Sequence, residues 1–182
     1  MVFFAHLSWL VVAPCGWTRD DDIDMVLDAF AMVGHPGLTL YLTGDGPLKA
    51  QFQQRLDGLD NLHSGYLPEA EYRDLLGRAD LGLSSHHSSS GLDLAMKVSD
   101  LFAARAPVCA WDYGGALPEQ VVDGQTGYLF RDARALATIL QALLADPSPL
   151  ESMRLRIADQ WQETAQQAWD GAWAEAVSGL PE

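Results

Sequence analysis

Short apolar or alternating runs recur along the chain at WLVVA (9 to 13), LTLYLT (38 to 43), NLHSGY (61 to 66), DLGLS (80 to 84), PVCAW (107 to 111) and TGYLF (126 to 130). Between most of them lie stretches with helical spacing. Asp24 to Val33 carries Met25, Ala29 and Met32 on one side, Glu69 to Arg78 is a shorter polar helix with Leu75 and Leu76, and Leu136 to Leu144 is apolar at helical intervals. Strand alternating with helix predicts a parallel sheet covered on both faces, a doubly wound α/β fold. From Leu150 to Ser178 the pattern turns wholly helical, with Trp161, Trp169 and Trp173 eight and four apart on one stripe. That stripe has two open readings: packing on this domain's own sheet, or an exposed face for a partner. The expected organisation is an N-terminal remnant at 1–8, one α/β domain at 9–148 and a C-terminal helical segment at 149–182.

A chain of 182 residues accommodates one domain with a real core and is short for two. Its 25 acidic against 11 basic residues give a formal net charge of -14, which argues against nucleic acid or an anionic membrane surface as the main partner. Small anions remain eligible, because backbone amides and one or two local cations can hold them. The opening MVFFAHLSWLVVA has no Lys or Arg before Arg19 and is too short to span a bilayer, so Trp9 to Ala13 is expected to be a buried strand rather than part of a leader. Cys15 and Cys109 fall near the ends of apolar runs and read as buried thiols, which points to a cytoplasmic protein.

The chemistry concentrates in HHSSSGLDLAMKVSD, His86 to Asp100. In doubly wound sheets ligands bind beyond the carboxyl ends of the strands, near the point where strand order reverses, and this loop follows the fourth strand. Asp93 is expected to cap a helix running from Leu94 to about Ala104, with Leu94, Val98, Leu101 and Phe102 on its buried stripe. The Ser88-Ser89-Ser90-Gly91 turn would then aim hydroxyls and amides at the helix start, where the macrodipole favours negative charge and glycine permits close approach. A diphosphate meets those requirements. Lys97 would add a positive charge, and Asp100, one turn deeper, would accept hydrogen bonds from ribose hydroxyls; the alternative is a surface ion pair between the two.

These residues also carry a resemblance. Trp17-Thr18 with the acidic run Asp20 to Asp22, then Thr43 to Lys49 (TGDGPLK), then DLGLSSHHSSSGLDLAMKVSD with PVCA and Glu119 behind it, resemble the C-terminal, nucleotide-sugar-binding half of GT-B glycosyltransferases over roughly Trp9 to Leu144. The most similar family is that of chitobiosyldiphosphodolichol beta-mannosyltransferases, which take mannose from GDP-mannose. The resemblance implies a Rossmann-like domain in which Ser88, Ser89, Ser90, Gly91 and Leu92 cradle the donor diphosphate, His86 touches its sugar or phosphate, and Asp100 stands where related enzymes hold the ribose with a Glu. It implies inverting mannosyl transfer and a separate acceptor-binding Rossmann domain as partner. The alternatives are a donor-binding subunit of a split enzyme or an inactive truncated fragment.

Three departures from the family pattern stand out. The basic residues that many relatives place after the first strand are replaced here by Gly16 and Asp21, so the phosphate charge falls to Lys97, with Arg19 nearby; Ala95 stands where a proline is usual; and the N-terminal domain that in such enzymes supplies the acceptor site is expected to be lost or encoded separately. No catalytic base is assigned. The loop after the fifth strand places Gly114, Gly115 and Glu119 where donor pockets are lined in this fold. Trp111 reads equally as a base contact or a core residue, and Lys49 and Asp45 as turn formers or ligand contacts. No metal site is expected: Asp20 to Asp22 read as acids favoured before a helix, and His6, His35 and His63 lack ligand spacing.

Overall fold

A computed structural model describes residues 8–59, 61–88 and 90–160. The runs read as strands become β1 (Trp9–Pro14), β2 (Leu38–Thr43), β3 (Leu62–Gly65), β4 (Leu81–Ser84), β5 (Val108–Trp111) and β6 (Gly127–Phe130). They form one parallel sheet in the order β3-β2-β1-β4-β5-β6, so strand order reverses between β1 and β4. The expected doubly wound α/β fold is present. Its central strands are buried on both faces, which is why WLVVA and DLGLS read as nearly continuous apolar runs rather than as alternation.

Helix α1 (Ile23–Val33) starts where Asp22 accepts a hydrogen bond from the Met25 amide at 3.0 Å and stops at Gly34, in the left-handed region at φ 55°. Met25 and Ala29 are buried as expected, but Met32 is 52% exposed. Ile23, Val26 and Leu27 form the other part of the buried surface, and Met32 lies in the last turn, just before the chain leaves the helix. One face of the sheet is covered by α1, by α6 (Ala133–Ala145) and by Leu56 of α2 (Lys49–Leu56); the other by α3 (Glu69–Arg78), α4 (Met96–Ala103) and Leu117 of the short α5 (Leu117–Gln120). Two of these helices have no periodic signature in the sequence. α2 is mostly polar and is held to α1 by Arg55, which pairs with Asp28 at 2.6 Å and also with Asp24; α5 is a single turn.

Helix α4 carries the expected Lys97 and Asp100, and its seat is set by one glycine. A Cβ at Gly82 of β4 would lie 2.6 Å from Leu101, so the absent side chain lets α4 press against the strand. Helical residues 148–160 bury Leu150 and Met153 with the first face and Ile157 with the second. Arg154 ties them to the chain before β4, donating to the carbonyls of Ala79 at 2.7 Å and Asp80 at 2.9 Å. The tryptophan stripe from Trp161 onward, the N-terminal remnant over 1–7 and Ser89 lie outside the described residues.

Candidate functional site

At the switch point the loops that follow β1 and β4 are joined to each other. Asp21 and His86 form an antiparallel bridge, the His87 amide donates to the Asp20 carbonyl at 2.7 Å, and the Asp22 amide to the Ser85 carbonyl at 3.3 Å. Between them opens a cleft of about 290 Å³ lined by Gly16, Thr18, Asp20, Asp21, His86 and Asp93 through Lys97. Gly16 and Lys97 also line a second cavity of about 370 Å³ with Cys15, Thr43, Gly44, Glu69 and Tyr72. Glu69 and Tyr72 in turn line a groove with Asp100. The three spaces thus form a run in which each shares lining residues with the next.

Lys97 enters this run from the first turn of α4. Its ammonium pairs with Asp21, whose side chain is only 2% exposed and also accepts the Gly16 amide at 2.8 Å. The surface pair between Lys97 and Asp100 does not form. Asp100 instead accepts from the Tyr72 hydroxyl at 3.1 Å, and burial together with the Asp100 charge raises the Tyr72 pKa, keeping that hydroxyl a donor. Cys15 is held as a neutral thiol. Burial and, secondarily, the Asp21 charge push its pKa up to about 12, and its thiol donates to the Thr43 carbonyl.

Asp93 departs from its expected role. Helix α4 begins only at Met96, its N-cap Ala95 has no side-chain cap bond, and Leu94 is 51% exposed instead of buried. The residue acting on the helix start is Gln120, whose amide group accepts from the Ala95 amide at 3.1 Å and donates to the Ala95 carbonyl and to Ser99, each at 3.0 Å. Asp93 turns its carboxylate into the serine loop. Oδ1 accepts from Ser88 Oγ and, at 3.1 Å, from Ser90 Oγ; Oδ2 lies 3.0 Å from His86 Nε2. The Ser88 hydroxyl first and His86 second hold the Asp93 carboxyl well below the usual carboxylate range.

The loop itself is shaped by paired glycines. Gly91 and Gly115 both have left-handed backbones, at φ 69° and 56°, the Gly91 carbonyl accepts the Ala116 amide at 2.9 Å, and a Cβ on Gly115 would sit 1.7 Å from that carbonyl oxygen. This contact locks the loop after β5 onto the serine loop.

A family model described as glycosyl transferases group 1 matches residues 9–146. The chain belongs to this family. Among curated relatives, the chitobiosyldiphosphodolichol beta-mannosyltransferase of Mus musculus is 37% identical over 94% of this chain and 38% of its own length. That of Homo sapiens is 35% identical over 94% of this chain and 39% of its own length. The chain thus spans well under half the length of these relatives. Among solved structures, Anabaena Alr3699/HepE in complex with UDP and glucose superposes with a TM-score of 0.79 at 20% identity, covering 96% of this chain and 49% of that one. The catalytic domain of cholesterol-alpha-glucosyltransferase from Helicobacter pylori gives 0.69 at 14% identity over 84% of this chain and 96% of that one. At those identities the likeness is one of fold, the Rossmann-like domain of GT-B glycosyltransferases.

Within this glycosyl transferase group 1 domain, His86 and Lys97 share the switch-point cleft, and Ser88, Ser90 and Gly91 form the adjoining loop. Leu92 contributes its amide, which bonds Ser90 Oγ at 3.1 Å, while its side chain is 82% exposed. Gly115 buttresses the loop from behind, and Glu119 is exposed on α5. Asp100 is displaced along the run from the serine loop and lines the groove with Tyr72. Trp111 stacks with His87 at 4.3 Å between centroids and meets Phe130 edge-on, contacts of the packing kind. Lys49 lies 5.6 Å above the Trp17 ring and donates to the Gly44 carbonyl at 3.4 Å, which is the turn-forming role.

Of the acidic run, Asp22 caps α1, Asp21 pairs with Lys97 and Asp20 offers its carbonyl to His87. Among the described residues no cluster of His, Cys, Asp and Glu has the arrangement of a metal site, and no helix is long and apolar enough to cross a membrane. Gln120, Tyr72 and the placement of Asp93 escaped the sequence reading. A single amide 25 residues from its partner leaves no periodic trace.

Proposed function

We propose that this chain is the donor-binding half of a GT-B glycosyltransferase, transferring mannose from GDP-mannose with inversion in the cytoplasm. The observation that carries the reading is the cleft at the reversal of strand order, lined by Lys97 and His86 beside a helix start and linked through Asp93 to the hydroxyls of Ser88 and Ser90. In this reading the diphosphate lies against Lys97 and the serine hydroxyls, and the nucleoside extends along the run toward Tyr72 and Asp100. An acceptor hydroxyl attacks the anomeric carbon from the face opposite the departing diphosphate, and Lys97 with the loop donors stabilises the charge that gathers on the leaving group. The choice of GDP-mannose rests on the identity to the mannosyltransferases; the buried free thiols of Cys15 and Cys109 suit a reducing compartment.

Calorimetry with GDP, UDP, guanosine and uridine tests the donor site. Each diphosphate is expected to bind more tightly than its nucleoside, and equal or absent binding of all four refutes it. Transfer is expected to need a separate acceptor-binding Rossmann domain, since a positioned acceptor hydroxyl supplies much of the rate and this chain spans 38% of the length of a full relative. Acceptor-dependent product from the chain alone, read by mass spectrometry with GDP-mannose and a lipid-linked chitobiose, would refute that part. Product only after a second protein is added would favour a split enzyme.

The ribose assignment has its own test. Asp100→Ala is expected to weaken GDP binding by about 1 to 3 kcal/mol, because an anionic acceptor makes strong hydrogen bonds. The loss should shrink for the 2',3'-dideoxy nucleotide. An equal loss with both ligands would assign Asp100 to holding Tyr72 instead.

A further inference from the structure

The donors that make the serine loop an anion seat are already in use. Ser88 Oγ and Ser90 Oγ both point to Oδ1 of Asp93, and His86 Nε2 lies 3.0 Å from Oδ2, so both carboxylate oxygens are engaged. The seat is open: the Asp93 side chain is 48% exposed, so an anion arriving from solvent can reach the same donors. Among the described residues the cleft also carries three carboxylates, those of Asp20, Asp21 and Asp93, against the single ammonium of Lys97, itself paired with Asp21. A diphosphate entering while Asp93 stays in place would meet a like charge at hydrogen-bond range, which opposes binding.

The chain around Asp93 allows it to leave. The segment from Gly91 to Ala95 precedes α4 rather than forming part of it, and Gly91 at its start has a left-handed backbone. The other bonds to this segment hold its backbone and do not use the carboxylate, so the side chain can turn away while they stay: the Ala116 amide to the Gly91 carbonyl at 2.9 Å, the Gly91 and Leu92 amides to Ser88 and Ser90 Oγ, the Tyr113 hydroxyl to the Asp93 carbonyl at 2.8 Å, and Gln120 to Ala95.

We propose that the Asp93 carboxylate is an internal stand-in for a phosphate group of the donor, holding the serine loop in shape when the site is empty and giving up Ser88, Ser90 and His86 when the diphosphate binds. The inference rests on the donor-diphosphate reading of the cleft and adds to it how that site is regulated. Its consequence runs against the usual expectation for a residue lining a site: removing Asp93's charge should tighten binding, because apparent affinity is reduced by the fraction of molecules whose seat is already filled.

The test is calorimetry of GDP, guanosine and inorganic pyrophosphate on the wild-type chain, Asp93→Asn and Asp93→Ala, with each variant's folding checked by thermal denaturation. In Asp93→Asn, GDP and pyrophosphate are expected to bind about tenfold more tightly and guanosine without change. Asp93→Ala, which removes every side-chain bond to the loop, should also improve pyrophosphate binding if it folds. Wild-type binding of GDP with no gain, or a loss, in both variants overturns the stand-in while leaving the donor site standing. Pyrophosphate binding gained by a variant when the wild type binds nothing supports the stand-in and refutes the donor affinity of the native chain. Binding by none of the three proteins overturns both.

Discussion

Replacing Lys97 with Met is expected to lower stability by about 2 to 3 kcal/mol and to abolish the preference for GDP over guanosine. The stability loss follows from the partner: Asp21 has its side chain 2% exposed, and removing the ammonium leaves a carboxylate in a site that water scarcely reaches. The figure sits below that for a fully buried pair because Lys97 itself is 26% exposed, which lets solvent screen the interaction. Binding is affected for a separate reason, since Lys97 is the one lysine or arginine among the described residues that line the cleft. A double-mutant cycle separates the two effects. Asp21→Asn combined with Lys97→Met should recover most of the urea midpoint, because no unpaired charge remains, yet GDP should bind no better than guanosine. Recovery of both would make Lys97 a structural residue only.

Gly115→Ala is the second large effect. A Cβ there would stand 1.7 Å from the Gly91 carbonyl oxygen, on a backbone at φ 56° that side chains rarely adopt, so the loops after β4 and β5 must part. The variant is expected to lose about 2 to 3 kcal/mol of stability and more than tenfold in GDP affinity, through displacement of the serine loop rather than loss of any contact of its own. Gly77→Ala provides the control. That glycine lies inside α3, a Cβ on it meets nothing within 4 Å, and the substitution should stabilise by about 0.5 to 1 kcal/mol with unchanged binding. Equal GDP affinity in Gly115→Ala and wild type would show that the two loops are not coupled in binding.

Much of this fold is legible in the sequence because the physics that selects its elements is local. WLVVA, DLGLS and PVCAW are apolar because central parallel strands are buried on both faces, and their alternation with Glu69 to Arg78 and Leu136 to Leu144 implies the crossover helices. The location of the serine loop beyond β4 follows from the same order. Helix α2 was invisible because its residues are polar and its hold on α1 is a pair of charges from Arg55. Helix α4 starts later than expected because Asp93 has two possible uses, cap or loop ligand, and only its three-dimensional neighbours choose between them.

What the sequence by itself determined is therefore the doubly wound sheet and the position of the serine loop at its carboxyl edge. The tertiary structure alone decided who pairs with whom. Lys97 meets Asp21 across 76 positions, Asp100 meets Tyr72 across 28, and Gln120 reaches Ala95 across 25, none of which periodicity can encode. Side-chain periodicity reports which face of an element is buried, since burial repeats with the turn of a helix or the pleat of a strand. A polar partnership is a single event, fixed by how β1 and β4 bring their loops together at the switch point, and it leaves no repeating mark in the chain that makes it.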